Sequence, residues 1–310
     1  LKVIENYKNF KVSKKSIVTI GTFDGVHIGH QKIMEQLVAG AQQKNANSVL
    51  LTFFPHPRMV LQKDNSLKLI NTIAEKIKIL EKTGLDYLII HPFDKEFSRL
   101  TAFDFVRTIL VNHLNTSELV IGYDHRFGKN REGNFEQLQE YGHMYDFKVT
   151  EIPAQDINQI SVSSTKIRNA ISKAEIEKAN EYLGYPFSLE GTVVSGEKLG
   201  NTIGYPTANI ALLESYKLTP KTGAYLIRSL VNGNTVYGMM NIGNRPTVNG
   251  AQETIEVHFF DLDEDLYGQE LTIELLTFLR EEQKFNSLEA LKKQLFLDKE
   301  KSRELIAAHL

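Results

Sequence analysis

The chain has 310 residues, enough to bury more than one sizeable core. Its formal net charge is −2, from 36 basic and 38 acidic residues, so it carries no global basic field for nucleic acid or a membrane surface. Cysteine is absent, which excludes disulfides and thiolate metal sites and fits a cytoplasmic protein, and no apolar run reaches membrane-spanning length. No apolar leader follows the N-terminal lysines, and a start at Leu1 points to a trimmed or unusual beginning. Lys2 to Lys15 reads as a polar lead-in. Ile17-Val18-Thr19-Ile20 is a β-branched run that predicts a buried strand. Gly21, Thr22, Phe23, Asp24 and Gly25 then make a sharp turn, and His27 and His30 follow with Gly29 between them. Ile33, Met34, Leu37, Val38 and Ala41 have the spacing of an amphipathic helix. Strand, glycine-rich turn and helix together suit a phosphate, because a helix N-terminus offers free N–H groups and a positive dipole end. The two imidazoles can donate hydrogen bonds to phosphoryl oxygens, and a protonated one adds charge. A metal pair fits less well, since no carboxylate stands at ligand spacing beside both histidines.

Ser48 to Phe54 predicts a second buried strand, ending in Pro55-His56-Pro57-Arg58. Two prolines there predict an extended loop and no helix. The loop leaves the C-terminal end of a strand, where open α/β sheets bind ligands, and Arg58 is a candidate anion clamp. Phe53 and Phe54 read first as core and second as ring contacts. Asn71-Thr72 can cap a helix through Lys82, stopped by Gly84. Asp86 to His91 predicts a strand, Thr101 to His113 a helix and Leu119 to Ile121 a further strand. That strand runs into a loop holding Asp124, His125, Arg126, Phe127 and Gly128, followed by Lys129 to Arg131. Phe135 to Tyr145 predicts a helix and Lys148 to Ile152 a strand. Alternation of this kind predicts an α/β domain with a parallel, doubly wound sheet. Ser163, Ser164 and Thr165 stand at a helix start, with Lys166 and Arg168 in its first turns. Cations there oppose the helix dipole, so a bound anion makes sense of them; a capped helix with solvated cations is the plainer alternative. Ala174 to Leu183 predicts one more helix, and Gly184-Tyr185-Pro186 marks a boundary between domains 1–185 and 186–310.

Beyond it short β-rich runs alternate with turn signals such as Asn232-Gly233 and Tyr267-Gly268, which predicts an antiparallel β-barrel or sandwich with a terminal helix over 287–309. A glycine-bearing loop holds Gly200, Gly204, Pro206, Thr207 and Asn209, whose hydroxyl and amide oxygens suit Mg2+. Asn241 to Pro246 reads as a second polar loop. The alternation in ETIEVHFF sets Glu256 and His258 on one face, and a carboxylate facing a barrel mouth can take a proton from a substrate hydroxyl.

GTFDGVHIGH, FFPHPR, GYDHRFG and SSTKIR, then IGYPTAN, NIGNRPT, EVHFFDLDEDLYG and FLREEQKFNSLEALKKQ, closely resemble the bacterial bifunctional riboflavin kinase/FAD synthetase family, in family order and over nearly the whole chain. The resemblance implies a Rossmann-like nucleotidyltransferase domain that moves AMP from ATP to FMN, giving FAD and pyrophosphate. It also implies a β-barrel that phosphorylates riboflavin to FMN with ATP, both reactions needing Mg2+. By the same resemblance His27 and His30 stabilise charge on the ATP phosphates, while Ser163, Ser164, Thr165 and Arg168 hold pyrophosphate. The loops Pro55, His56, Pro57, Arg58 and Asp124 to Gly128 border flavin and nucleotide. Glu256 matches the general base, and Thr207 and Asn209 match the residues that hold Mg2+ and phosphate. Leu199 and Asn201 depart from the family, standing where two arginines are usual; His125 and Lys166 are smaller departures. An alternative is therefore an FAD synthetase whose kinase-like domain has reduced or lost activity. A non-catalytic flavin-binding or regulatory protein is a further one, and the intact HxGH and SSTKIR segments argue against it. Partners are expected to be small-molecule substrates only.

Overall fold

A computed structural model describes residues 1–62, 66–122, 126–152, 156–157, 160–195, 203–247 and 250–309. They form two compact units, Leu1–Ser164 and Thr165–Leu310.

The first unit is built on a six-stranded sheet in the order β1-β4-β3-β2-β5-β6, with every pairing parallel. Its strands are β1 Lys2–Glu5, β2 Ser16–Ile20, β3 Asn47–Phe54, β4 Tyr87–Pro92, β5 Thr116–Gly122 and β6 Lys148–Ile152. β2 is buried along its whole length because both faces of the sheet are covered. Ile17 packs with Met34 and Leu37 of α1 (Ile28–Gln43) on one face. Val18 and Ile20 pack with Phe105, Val106 and Ile109 on the other. The latter belong to a helix that starts as α-helix at Ala102–Asp104 and continues as π-helix over Phe105–His113. Strand order reverses at β2, with β3 on one side and β5 on the other. Ligands of such sheets bind in the crevice at the carboxyl ends of the strands at that point.

Two expectations need correcting here. The polar lead-in contains an edge strand, β1, paired with β4; its exposure removes the apolar signature that marks the interior strands. After a cis Phe54–Pro55 bond, Pro57 opens a short helix, α2 Pro57–Leu61, rather than forbidding one. Proline at the first helical position gives up an N–H that has no intrahelical partner anyway, and the His56 side chain caps the turn by accepting from the Arg58 N–H. The next helix, α3 Ile73–Glu81, carries a full capping box between Thr72 and Glu75. α4 is the Ala102 helix just described, and α5 is Phe135–Tyr145. A small antiparallel pair, β7 Asp156–Ile157 and β8 Ile160–Ser161, precedes α6 Ser164–Ser172 and α7 Ile176–Leu183.

The second unit is a closed antiparallel barrel in the order β10-β13-β12-β11-β14-β9, closed because β9 pairs with both β10 and β14. The strands are β9 Ser188–Val194, β10 Ala208–Leu212, β11 Gly223–Val231, β12 Asn234–Thr247, β13 Gly250–Phe259 and β14 Glu270–Glu281. The Asn241–Pro246 stretch, expected as a loop, lies inside β12 and pairs residue for residue with β13. Its polar residues mimic a loop because part of them faces a cavity. α7 is tied to this unit: Asn180 Nδ2 donates to the Leu275 carbonyl and Asn180 Oδ1 accepts from the Phe187 N–H. The terminal helix α8, Leu288–His309, is capped by Ser287 and sets Leu295, Leu305 and Ile306 against Tyr205, Leu226 and Met239.

Candidate active sites

The turn after β2 is held in a conformation that ordinary residues avoid. Phe23 and Val26 have positive φ of 45° and 32°, and Gly25 lies between them at 89°. A β-branched residue at positive φ is an outlier that persists only where surrounding contacts over-determine it, and such strain concentrates at functional sites. The contacts are present. Gln31 Nε2 donates to the Val26 carbonyl at 2.9 Å. The Thr22 carbonyl accepts from Thr52 Oγ1 at 3.2 Å and from Lys76 Nζ at 2.6 Å. Asp24, 2% exposed, turns its carboxylate inward to accept from the Ile70 and Asn71 amides. Its own carbonyl accepts from Ser164 Oγ at 2.8 Å. Ser164 is thus brought to the Asp24 turn from a distant part of the chain. Gly21 is needed for space, since a Cβ there would lie 2.9 Å from the Phe23 ring.

His27 is the N-cap of α1, and its Nδ1 accepts from the His30 N–H. The neutral ring in that tautomer carries its proton on Nε2. The His27 and His30 rings stack with centroids 3.6 Å apart and 16° between planes. His30 also lies against Phe23, at 4.6 Å. Burial, with the nearby His27 and Lys76 adding to it, holds the His30 pKa well below the usual imidazole range. Its Nδ1 is buried without a hydrogen-bond partner. In the free protein burial therefore favours the neutral His30 ring.

Other expected site residues are placed as follows. Ser163 is half-buried, while Thr165 and Lys166 are exposed and Arg168 half-buried along α6. Arg58 is exposed and its Nε donates to Gln62 Oε1. Phe53 belongs to the core, packed on Phe93 and Phe97. Phe127 is 6% exposed and packs on Phe105, so it lies in the core rather than on a loop surface. Arg126 is exposed. Asp124 and His125 in this unit, and Leu199, Gly200 and Asn201 in the other, lie outside the described residues.

The barrel unit has its own cavity, about 230 Å³, lined by Thr207, Asn209, Asn241, Glu256 and His258 among others. Register explains the arrangement. Asn209 of β10 is directly opposite Glu256 of β13, and Glu256 is directly opposite Asn241 of β12. The three form a row across adjacent strands, so their side chains share one face. His258, two residues on, shares it too. Its Nδ1 lies 2.8 Å from the Pro206 carbonyl, an acceptor only, so Nδ1 carries the proton. Burial keeps the His258 pKa below the ordinary value. At one wall Arg280 grips Asp298 of α8 through Nε and Nη2, with the Nη2 contact at 2.8 Å. Thr207 Oγ1, Asn209 Oδ1 and the Glu256 carboxylate supply oxygen donors, and among the described residues no group of three or more His, Cys, Asp or Glu side chains could hold a metal. That set fits a Mg2+ ion shared with substrate phosphates and water, not an all-protein cage.

Two family models divide the chain: an FAD synthetase model matches residues 9–166 and a riboflavin kinase model matches 183–306. The bifunctional riboflavin kinase/FMN adenylyltransferase of Escherichia coli K12 is 36% identical over 307 residues, spanning 98% of this chain and 97% of that protein. This chain belongs to the same family. The family member from Listeria monocytogenes is 39% identical over 293 residues, covering 94% of this chain and 92% of its own. A Streptococcus pneumoniae crystal structure, described as a macrolide-efflux protein, matches with a TM-score of 0.91 and 31% identity, covering 98% of this chain and 99% of that one. Among the described residues no helix here is long and apolar enough to cross a membrane.

Lys76 and Asn241 are the residues that sequence reasoning missed. Lys76 had a visible signal: it occupies the apolar stripe Ile73, Lys76, Ile77 and Leu80 of α3, where a charge is out of place. Asn241 was visible only as part of a supposed loop.

Proposed function

We propose that this chain carries out both reactions of its family, phosphorylating riboflavin to FMN in the barrel and transferring AMP from ATP to FMN at the β2–α1 turn, with release of pyrophosphate. The observation that carries the bifunctional reading is the barrel cavity, where Glu256 stands between Asn209 and Asn241. In the barrel Glu256 takes the proton of the ribityl hydroxyl while Thr207 and Asn209 hold Mg2+ and ATP phosphates. The ion, when bound, neutralises phosphate charge. At the turn no covalent intermediate is needed, so positioning and hydrogen bonding carry the reaction. The α1 N-terminus, the Gly21–Gly25 backbone, Gly29 and the His27/His30 pair receive the triphosphate, and Ser163, Ser164, Thr165, Lys166 and Arg168 take the pyrophosphate end. The Pro55–Arg58 and Asp124–Phe127 segments border FMN and nucleotide. Gly200, Gly204 and Pro206 shape the kinase phosphate loop. The functional domains are 1–185 and 186–310, and the protein is cytoplasmic.

The test supplies ATP and Mg2+ with riboflavin alone, then with FMN alone, and identifies flavin products by chromatography. FMN and FAD from riboflavin support both activities. FAD from FMN with no product from riboflavin reduces the chain to an FAD synthetase, and no product from either leaves a flavin-binding protein.

A further inference from the structure

Lys76 is 4% exposed and sits in the first turn of α3. Both facts work against a cation: the ammonium is desolvated, and it lies at the positive end of a helix dipole. Among the described residues its partners are few for such a cost. One hydrogen bond goes to the Thr22 carbonyl, and Asp24 supplies the attractive charge nearby. Asp24 already accepts two backbone amides. The ammonium is also near enough to the His30 ring to disfavour its charged form. A buried ammonium at the strained turn after β2, with one hydrogen bond and one nearby carboxylate, is sparsely compensated among the described residues.

We propose that Lys76 is a positioning residue for adenylyl transfer: through its hydrogen bond to the Thr22 carbonyl it ties down the turn and sets a fixed positive charge beside the site of a nucleoside triphosphate. This rests on the function proposed above. The phosphates meet the turn from the strand ends, and the ammonium acts through the Thr22–His30 backbone and across low-dielectric packing, where charge is weakly screened. It also adds, after burial and His27, to what disfavours a charged His30 in the free protein. Burial brings the Lys76 pKa down to about 8, which places its loss of charge within an accessible pH range. The groups that face it are Asp24 from the turn and His30 from α1, with His27 stacked behind His30.

The test compares the full chain with Lys76→Met and Lys76→Arg, measuring FAD formation from FMN, FMN formation from riboflavin, and thermal melting. Lys76→Met should lower kcat for FAD formation about a hundredfold in protein that is still folded at the assay temperature, with some loss of melting temperature because Asp24 stays buried without its countercharge. FMN formation should not move. Above about pH 8 the wild type should lose kcat/KM for FAD formation, and Lys76→Arg, always charged, should not show that limb. Lys76→Met with wild-type kcat overturns the proposal. So does a loss of FAD formation accounted for by unfolding at the assay temperature, or a high-pH limb unchanged in Lys76→Arg. If Lys76→Met does not fold, the Lys76→Arg profile decides alone. A wild type that makes no FAD from FMN removes the functional reading itself, a result distinct from these.

Discussion

The β2–α1 turn and the barrel cavity, the two sites proposed to receive phosphate, are built by different means. The turn is contiguous: from Gly21 to His30 the backbone itself is the instrument, bent through positive φ at Phe23 and Val26 and capped by an imidazole. The cavity is assembled: Asn209, Glu256 and Asn241 come from three strands and meet only because the barrel register aligns them. A contiguous site depends on local strain being held in place, and an assembled one depends on long-range pairing. The two should therefore fail differently.

The largest expected effect lies in the barrel. Glu256→Gln should cut FMN formation by about a hundred- to ten-thousandfold while FAD formation from supplied FMN stays intact, as read by product chromatography. His30→Ala should do the reverse at the turn, lowering FAD formation by about a hundred- to a thousandfold and leaving FMN formation alone. A fall of both activities in either variant, with melting unchanged, would break the two-site comparison. A smaller effect tests the assembled site through its wall. Arg280→Met leaves Asp298 buried with only Gln294 to donate to it, which should cost the barrel about 3 kcal/mol in chemical denaturation. The smallest effect belongs to His91, at the end of β4. It is buried between Tyr7 and Phe97, which brings its pKa down to about 4. A folded-state value below the unfolded one means that the neutral ring stabilises the fold fully above about pH 6.5. That stability is lost as pH falls from there towards 4, on the order of 2 kcal/mol. His91→Phe should flatten this part of the melting-temperature profile relative to the wild type.

The same contrast explains what could be read from the sequence. Ile17 to Ile20 announced β2 because a strand buried on both faces must be apolar throughout, and the turn motif was complete within ten residues of it. Phe135 to Tyr145 and Lys148 to Ile152 are observed with the expected bounds, since caps and periodicity there agree. β1 was silent because an edge strand needs no continuous apolar run. Pro57 misled because its effect depends on whether it stands at the first helical position or inside a helix. Asn241 misled because a polar residue that lines a cavity looks like one that faces water. Lys76 was overlooked because a charge in an apolar stripe is ordinarily discounted as noise, and only coordinates show what it touches. The row across β10, β13 and β12 was half legible: alternation placed Glu256 and His258 on one face, but nothing in the chain stated which strand lay alongside.

That row has a consequence for how the two halves can change over generations. Side chains along a strand alternate, so inserting a single residue within β13 ahead of Glu256 would turn the carboxylate to the outside of the barrel. Inserting two would restore the face yet slide Glu256 past both asparagines. Lengthening the β10–β11 or β13–β14 connections leaves the row untouched. Length variation is thus tolerated in the barrel's connecting segments and forbidden in the three strands that carry the row.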